Sequence, residues 1–279
     1  MTHSGKSPRI GVFDSGFGGL TVLSALLRHI PHACYTFLGD TARLPYGSKS
    51  RRTIAHYASE AAQYLVNEQG AEYLVIACNT ASALALDAIQ EAVPVPVLGV
   101  VEPGAMAARA ASQTGDVLVI ATSATVQSHA YATACQAQGL RALEKACPLL
   151  VPLVEEGWTD HPVTAQVIDV YLNELRREAK QEGLQYDALV LGCTHYPLLR
   201  PLLEKAVTPG VRVIDSAEAT AETAANMFGQ SGDWQSGQGQ PDTAHVRCFA
   251  TDSVDKFERL GSRFLGRPVG KVELVDLGG

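Results

Sequence analysis

Leu74–Thr80 reads LVIACNT, and Leu189–His195 reads LVLGCTH. Each is an apolar run closed by a small residue, then a cysteine, then polar residues. Unbroken apolar runs of this length are strands buried on both faces, as in a parallel sheet covered by helices. A looser pair accompanies them. IGVFDSGFGG (Ile10–Gly19) is answered by LVIATSATVQ (Leu118–Gln127), again an apolar strand leading into a short polar turn. The interval from Asp14 to Thr122 is close to the interval from Cys78 to Cys193. Two related α/β halves produce this pattern. Ligands of open α/β sheets bind beyond the carboxyl ends of the strands, so a cleft between the halves would be faced by one thiol from each side.

Working outward, the remaining apolar runs predict strands at Arg9–Phe13, Cys34–Leu38, Tyr73–Ala77, Val95–Val100, Asp116–Ala121, Ala188–Gly192, Arg212–Ile214 and His245–Ala250. Helical stretches lie between them, for example Arg51–Glu68, Val163–Glu182 and Ala217–Phe228. Strand and helix in alternation give an α/β fold with parallel sheets. The stretch Gly229–Thr243, rich in Gly, Ser, Gln and Asp, reads as an exposed loop without chemistry.

Composition narrows the function classes. Hydrophobic residues make up 46% of the 279 and charged residues 18%, enough for a real core. A net charge of −7 argues against a general nucleic-acid surface. No apolar run is long enough to span a bilayer. The opening MTHSGKSPRIGVF lacks the pattern of a secretory signal, so a cytoplasmic protein is expected. None of the six cysteines forms a C-x-x-C pair, and in a reducing compartment all should be free thiols.

Two thiols facing one cleft suit one reaction in particular. Inverting a carbon stereocentre by proton transfer needs a base on one face and an acid on the other. Two groups of the same kind let the reaction run both ways by exchanging roles. A free thiol has a pKa of roughly 8.5, and a helix start lowers it further. Good helix formers follow Cys78, and Pro197 is placed to open a helix after Cys193. A single cysteine is most often inert packing; it is the matched position in two echoing halves that singles out Cys78 and Cys193. Cys34, Cys135, Cys147 and Cys248 lack that context and are read as structural.

Asp14 ends the first strand, either as a helix cap or as a carboxylate aimed into the cleft beside Cys78. His195, two residues after Cys193, is either a hydrogen-bonded core histidine or a proton partner that tunes the thiol. Asp40 and Glu155 stand near element ends, where a solvated loop charge is the commoner reading. A Rossmann fingerprint would need Gly at 16, 18 and 21, but Thr21 holds the last position. A P-loop fails as well, because Gly16 is followed by Phe17. These glycines are expected instead to bring backbone N–H groups to a small anion such as a substrate carboxylate.

Six ordered motifs are similar to those of bacterial glutamate racemase. They are FDSGFGGLTVL (Phe13–Leu23), GDTARLPYGSKS (Gly39–Ser50), ACNTASA (Ala77–Ala83), CPLLVPLVEEG (Cys147–Gly157), GCTHYPLL (Gly192–Leu199) and VIDSA (Val213–Ala217). The resemblance implies interconversion of L- and D-glutamate without cofactor or metal, feeding peptidoglycan synthesis, by a cytoplasmic homodimer with no nucleic-acid or membrane partner. It implies two pseudo-symmetric α/β domains, residues 1–98 with 213–279 and residues 99–212, with the active site between them. Cys78 would take the α-proton of D-glutamate, assisted by Asp14. Cys193 would take that of L-glutamate, assisted by His195. Asp40 and Glu155 are weaker catalytic candidates. Asp14, Ser15, Pro45, Tyr46, Gly47, Asn79, Thr80, Thr122, Thr194 and His195 fall on substrate-binding positions. Two other readings compete: the same mechanism on a related acidic amino acid such as aspartate, and a non-catalytic small-ligand binding protein.

Overall fold

The computed structural model describes residues 7–231 and 245–278. Among these residues ten strands form two sheets, and every strand pair is parallel. The strands are β1 (Arg9–Asp14), β2 (Cys34–Gly39), β3 (Tyr73–Ile76), β4 (Val97–Gly99), β5 (Asp116–Ala121), β6 (Arg141–Ala146), β7 (Ala188–Gly192), β8 (Arg212–Asp215), β9 (Val246–Ala250) and β10 (Val272–Leu274). The first sheet runs β10-β9-β2-β1-β3-β4 and the second β6-β5-β7-β8. The order β2-β1-β3-β4 repeats as β6-β5-β7-β8. The echo in sequence is therefore an echo in topology: β1 matches β5, and β3 matches β7.

Register then places the loops. Phe13 pairs with Ile76, so the Asp14 turn and the Cys78 loop leave the first sheet as neighbours. Ala121 pairs with Gly192, so Thr122 and Cys193 leave the second sheet as neighbours. The central strands β5 and β7 are buried along their whole length, as their unbroken apolar runs require. One continuous core includes Ile10, Val12 and Val75 of the first sheet and Leu118, Ile120, Leu189 and Leu191 of the second.

All eight expected strands form, with ends shifted by a residue or two. Two more strands were not legible. β6 (RALEKA) is a partly exposed edge strand, so polar residues are mixed into it and it forms no apolar run. β10 is a three-residue edge strand, too short to carry a period. The expected boundary at residue 213 also moves. β8 pairs with β7 from Arg212 to Asp215, so the second sheet extends through that strand. Gly99 pairs with Ile76 and stays with the first sheet. The three expected helices form at Arg51–Gln63 with a further wide turn through Glu68, at Pro162–Gln181 and at Ser216–Ser231. In the second of these, Ile168, Leu172, Leu175 and Ala179 recur at helical spacing and are buried. Beyond its first three residues, the Gly229–Thr243 stretch lies outside the described residues. Among those described, no helix is long and apolar enough to cross a membrane.

Candidate active site

The two cysteine loops meet where the carboxyl ends of the two sheets face each other. Cys78 is 5% exposed and Cys193 6%, so both thiols are buried. Gly18 shows how closely the halves approach. A Cβ there would lie 2.4 Å from Thr194 Oγ1 and 2.7 Å from His195 Nδ1. Only glycine lets the Asp14 turn press against the Cys193 loop. Other contacts cross the same seam: Thr80 Oγ1 lies 3.1 Å from Thr122 Oγ1, and Thr21 Oγ1 donates to the Thr194 carbonyl at 3.4 Å.

On the first side, Cys78 is the N-cap of the helix Asn79–Leu84, and its sulfur accepts the Ala81 N–H at 3.4 Å. The thiol donates to Ser15 Oγ at 3.4 Å. A helix start was expected to lower this thiol. Burial pushes it up instead, to about 12, and the nearby Asp14 charge pushes the same way; the Ser15 and Ala81 hydrogen bonds only soften this. Asp14 is itself buried, and burial raises its carboxyl above the usual range despite the His195 charge and backbone N–H groups. The glycine turn is spent on that carboxylate: Gly16 N donates to Asp14 Oδ2 at 2.9 Å, with Gly18 and Gly19 contributing. The anion held by these glycines is therefore the chain's own aspartate, where a substrate carboxylate was expected.

On the second side, His195 Nδ1 lies 3.9 Å from the Cys193 sulfur and 3.4 Å from Thr194 Oγ1. Its Nε2 lies 3.3 Å from Glu155 Oε1, and Lys256 Nζ donates to Glu155 Oε2 at 3.1 Å. Burial works against a charge on His195, but its bonds to Cys193 and Glu155 outweigh this and hold the imidazolium to about 10. Glu155 is pulled below the usual carboxylate range, because His195 and Lys256 outweigh the effect of its own burial. The imidazole packs edge-on against Phe264 at 5.1 Å. Lys256 and Phe264 come from the helix Val254–Leu265, which joins β9 to β10 at the edge of the first sheet.

The structure brings the other expected residues to the same place, with different surroundings. Asp40 is fully buried, bonded to Tyr46 Oη at 2.5 Å, Thr251 Oγ1 at 2.9 Å and Arg43 Nε at 3.0 Å. It is thus engaged in holding the Leu44–Gly47 loop, in which Pro45 follows a cis peptide bond. That loop puts Gly47 against Thr122, 3.2 Å from a Cβ position to the Thr122 Cβ. Thr122 caps the helix Ser123–Ser128 and also meets Thr125 Oγ1 at 2.9 Å. Asn79 is buried and accepts from Tyr131 Oη at 2.6 Å. Of the cysteines read as structural, burial pushes Cys147 and Cys248 to about 12 and Cys135 to about 11. Sequence reasoning missed Tyr131, Lys256 and Phe264. None stands in a strand-end motif, and only tertiary packing brings them to the thiol loops.

Comparison with known proteins agrees with this architecture. The family model for Asp/Glu/Hydantoin racemase matches residues 20–224. A glutamate racemase of Koribacter versatilis is 55% identical over 296 aligned residues, covering 99% of this chain and all of the relative. The crystal structure of a Bacillus anthracis glutamate racemase isoform superposes with a TM-score of 0.87 at 36% identity, covering 97% of this chain and 98% of that one. A glutamate racemase of Francisella tularensis, solved in complex with D-glutamate, gives 0.86 at 32% identity with the same coverage of both chains. The chain belongs to the Asp/Glu/hydantoin racemase family, among its glutamate racemases.

Proposed function

We propose that this chain interconverts L- and D-glutamate by passing the Cα proton between Cys193 and Cys78. One observation carries the reading: the two thiols stand at topologically equivalent strand ends and are both buried, Cys193 beside His195 and Cys78 beside Asp14. Starting from L-glutamate, the Cys193 sulfur, as thiolate beside the imidazolium, takes the Cα proton. The electron pair left on Cα spreads into the α-carboxylate. The Cys78 thiol delivers its proton to the opposite face, giving D-glutamate, a protonated Cys193 and a Cys78 thiolate. From D-glutamate the same two groups exchange roles. His195 stabilises charge on Cys193, with Glu155 orienting the ring. Asp14 lies within electrostatic reach of both Cys78 and His195 and adjusts the Cys78 side.

Ser15, Asn79, Thr80, Thr122 and Thr194, with the Pro45–Gly47 loop, supply hydroxyl, amide and backbone groups for the two substrate carboxylates. Such neutral groups hold an anion without taking the proton from either thiol. Asp40 acts through Tyr46, as a positioning residue. The same proposal takes residues up to Gly99 and from Ser216 onward as one α/β unit, with the second unit between them. It places the enzyme in the cytoplasm as a homodimer supplying D-glutamate for peptidoglycan.

The test is to follow circular dichroism with L-glutamate and, separately, L-aspartate. Decay of the glutamate signal to zero, with aspartate much slower, is expected. A flat glutamate trace from folded protein would overturn the reading, and faster aspartate decay would move the substrate to the shorter acid.

A further inference from the structure

One residue outside the sequence motifs touches both cysteine loops. Tyr131 lies in the helix Ala130–Ala137 of the second half and is fully buried. Its hydroxyl donates to Oδ1 of Asn79, the residue after Cys78, at 2.6 Å. Its ring lies against Gly192, the residue before Cys193, where a Cβ would come within 2.9 Å of the ring. Gly104 closes the slot from another side, with 3.2 Å between a Cβ position and the ring edge. Two glycines thus fix the ring where its hydroxyl must point across the seam.

The hydrogen bonding has a direction. Burial raises the Tyr131 pKa far above its usual value, so the phenol stays protonated and remains a donor. The phenol proton goes to Asn79 Oδ1, and the amide is held in one orientation. Its other end, Nδ2, is buried with no protein partner among the described residues. A buried N–H donor left unpaired is costly, and this one sits one residue from the Cys78 thiol.

We infer that Tyr131 is a positioning residue for substrate binding: it fixes the Asn79 amide so that Nδ2 donates to a carboxylate of the bound amino acid. The inference rests on the proposed reading of the cleft as a glutamate site. It also gives cleft closure a chemical consequence. The donor is on the first half and the residue that aims it is on the second, so the carboxylate site is complete only when the halves meet. With phenylalanine at 131 the amide is free to turn, and Oδ1 would then face the anion.

The test is Tyr131→Phe in the full chain, alone and combined with Asn79→Ala. Binding is read by calorimetry with DL-glutamate at its racemic equilibrium, and turnover is read separately. The single variant should raise Kd and KM about tenfold, the scale of one hydrogen bond to a charged group, with kcat changed much less. In the Asn79→Ala background the same substitution should add nothing, because its route to substrate is gone. An unchanged Kd in the single variant would overturn the inference, and so would an equal tenfold loss in the Asn79→Ala background. Should Tyr131→Phe not fold, Asn79→Ala alone carries the test: its Kd must rise about tenfold, and an unchanged value overturns the inference. Binding that weakens as expected in a chain that never racemises would overturn the racemase reading while sparing the role of Tyr131.

Discussion

Behind Cys78 stands the Asp14 carboxylate, and behind Cys193 stand an imidazolium, a glutamate and a lysine. The two sides share strand order, loop position and a cysteine. Yet burial and a neighbouring carboxylate hold the Cys78 thiol up to about 12, while the charge kept on His195 to about 10 lies 3.9 Å from Cys193. Symmetric topology has been given asymmetric electrostatics. The difference comes from burial and Asp14 on one side and from the His195–Glu155 pair on the other, and the tail adds to the second side. β9, β10 and the helix between them have no counterpart in the second sheet, and that helix supplies Lys256 and Phe264 to the Cys193 side. In the proposed reaction from L-glutamate Cys78 is the acid and Cys193 the base, and the high Cys78 thiol and the charged His195 suit those roles.

Replacing either cysteine bears hardest on the comparison. Cys78→Ala and Cys193→Ala should each lower racemisation by about 10³-fold or more, since each removes a group that must carry the proton. Circular dichroism of the two variants checks that they fold. A single variant that retained most activity would reduce the pair to one catalytic thiol.

Next come the partners. The enantiomers have equal free energy, so any substitution must change kcat/KM equally in both directions. The asymmetry must be sought in individual steps. His195→Asn should lower kcat/KM by about 10²-fold and make proton removal by Cys193 the slow step. The isotope effect with α-deuterated L-glutamate should then grow, and that with α-deuterated D-glutamate should shrink. Asp14→Asn should give the opposite pattern. Isotope effects that move together would show that the two pockets do not divide the work.

The smallest effect concerns the charge on His195. Its imidazole resonance should titrate near 10 rather than near 6.5, and Glu155→Gln should bring the midpoint down. Lys256→Met should move it up by less than about one unit, because that ammonium is 44% exposed and screened. The folded pKa lies above the unfolded one. The stability drawn from the charged ring is therefore complete below about 6.5 and lost as pH rises through about 10. A midpoint near 6.5 would remove the asymmetry between the pockets.

Much of this site was legible because strand-end chemistry is local. An apolar run fixes a buried strand, and a cysteine two peptides past its last paired residue must stand at the carboxyl edge of the sheet. Asp14, Thr122 and His195 were readable on the same ground. Other features were not. β6 hid because polar residues are mixed among its apolar ones and no apolar run marks it. The fate of the glycine turn hid because sequence does not say which anion its N–H groups will meet, and Asp14 takes them. Asp40 looked like a solvated loop charge and is instead fully buried among Tyr46, Arg43 and Thr251.

The sequence by itself determined the α/β class, the repeat of strand and loop, and the pairing of two cysteines, because each depends on periodicity within about ten residues. Only the tertiary structure decided how the two thiols differ. Their character comes from burial and from charges that lie far along the chain. Glu155 reaches His195 across 40 positions, Lys256 reaches Glu155 across 101, and Tyr131 reaches Asn79 across 52. Desolvation and Coulomb interactions act through space, and nothing in the local pattern around either cysteine records them.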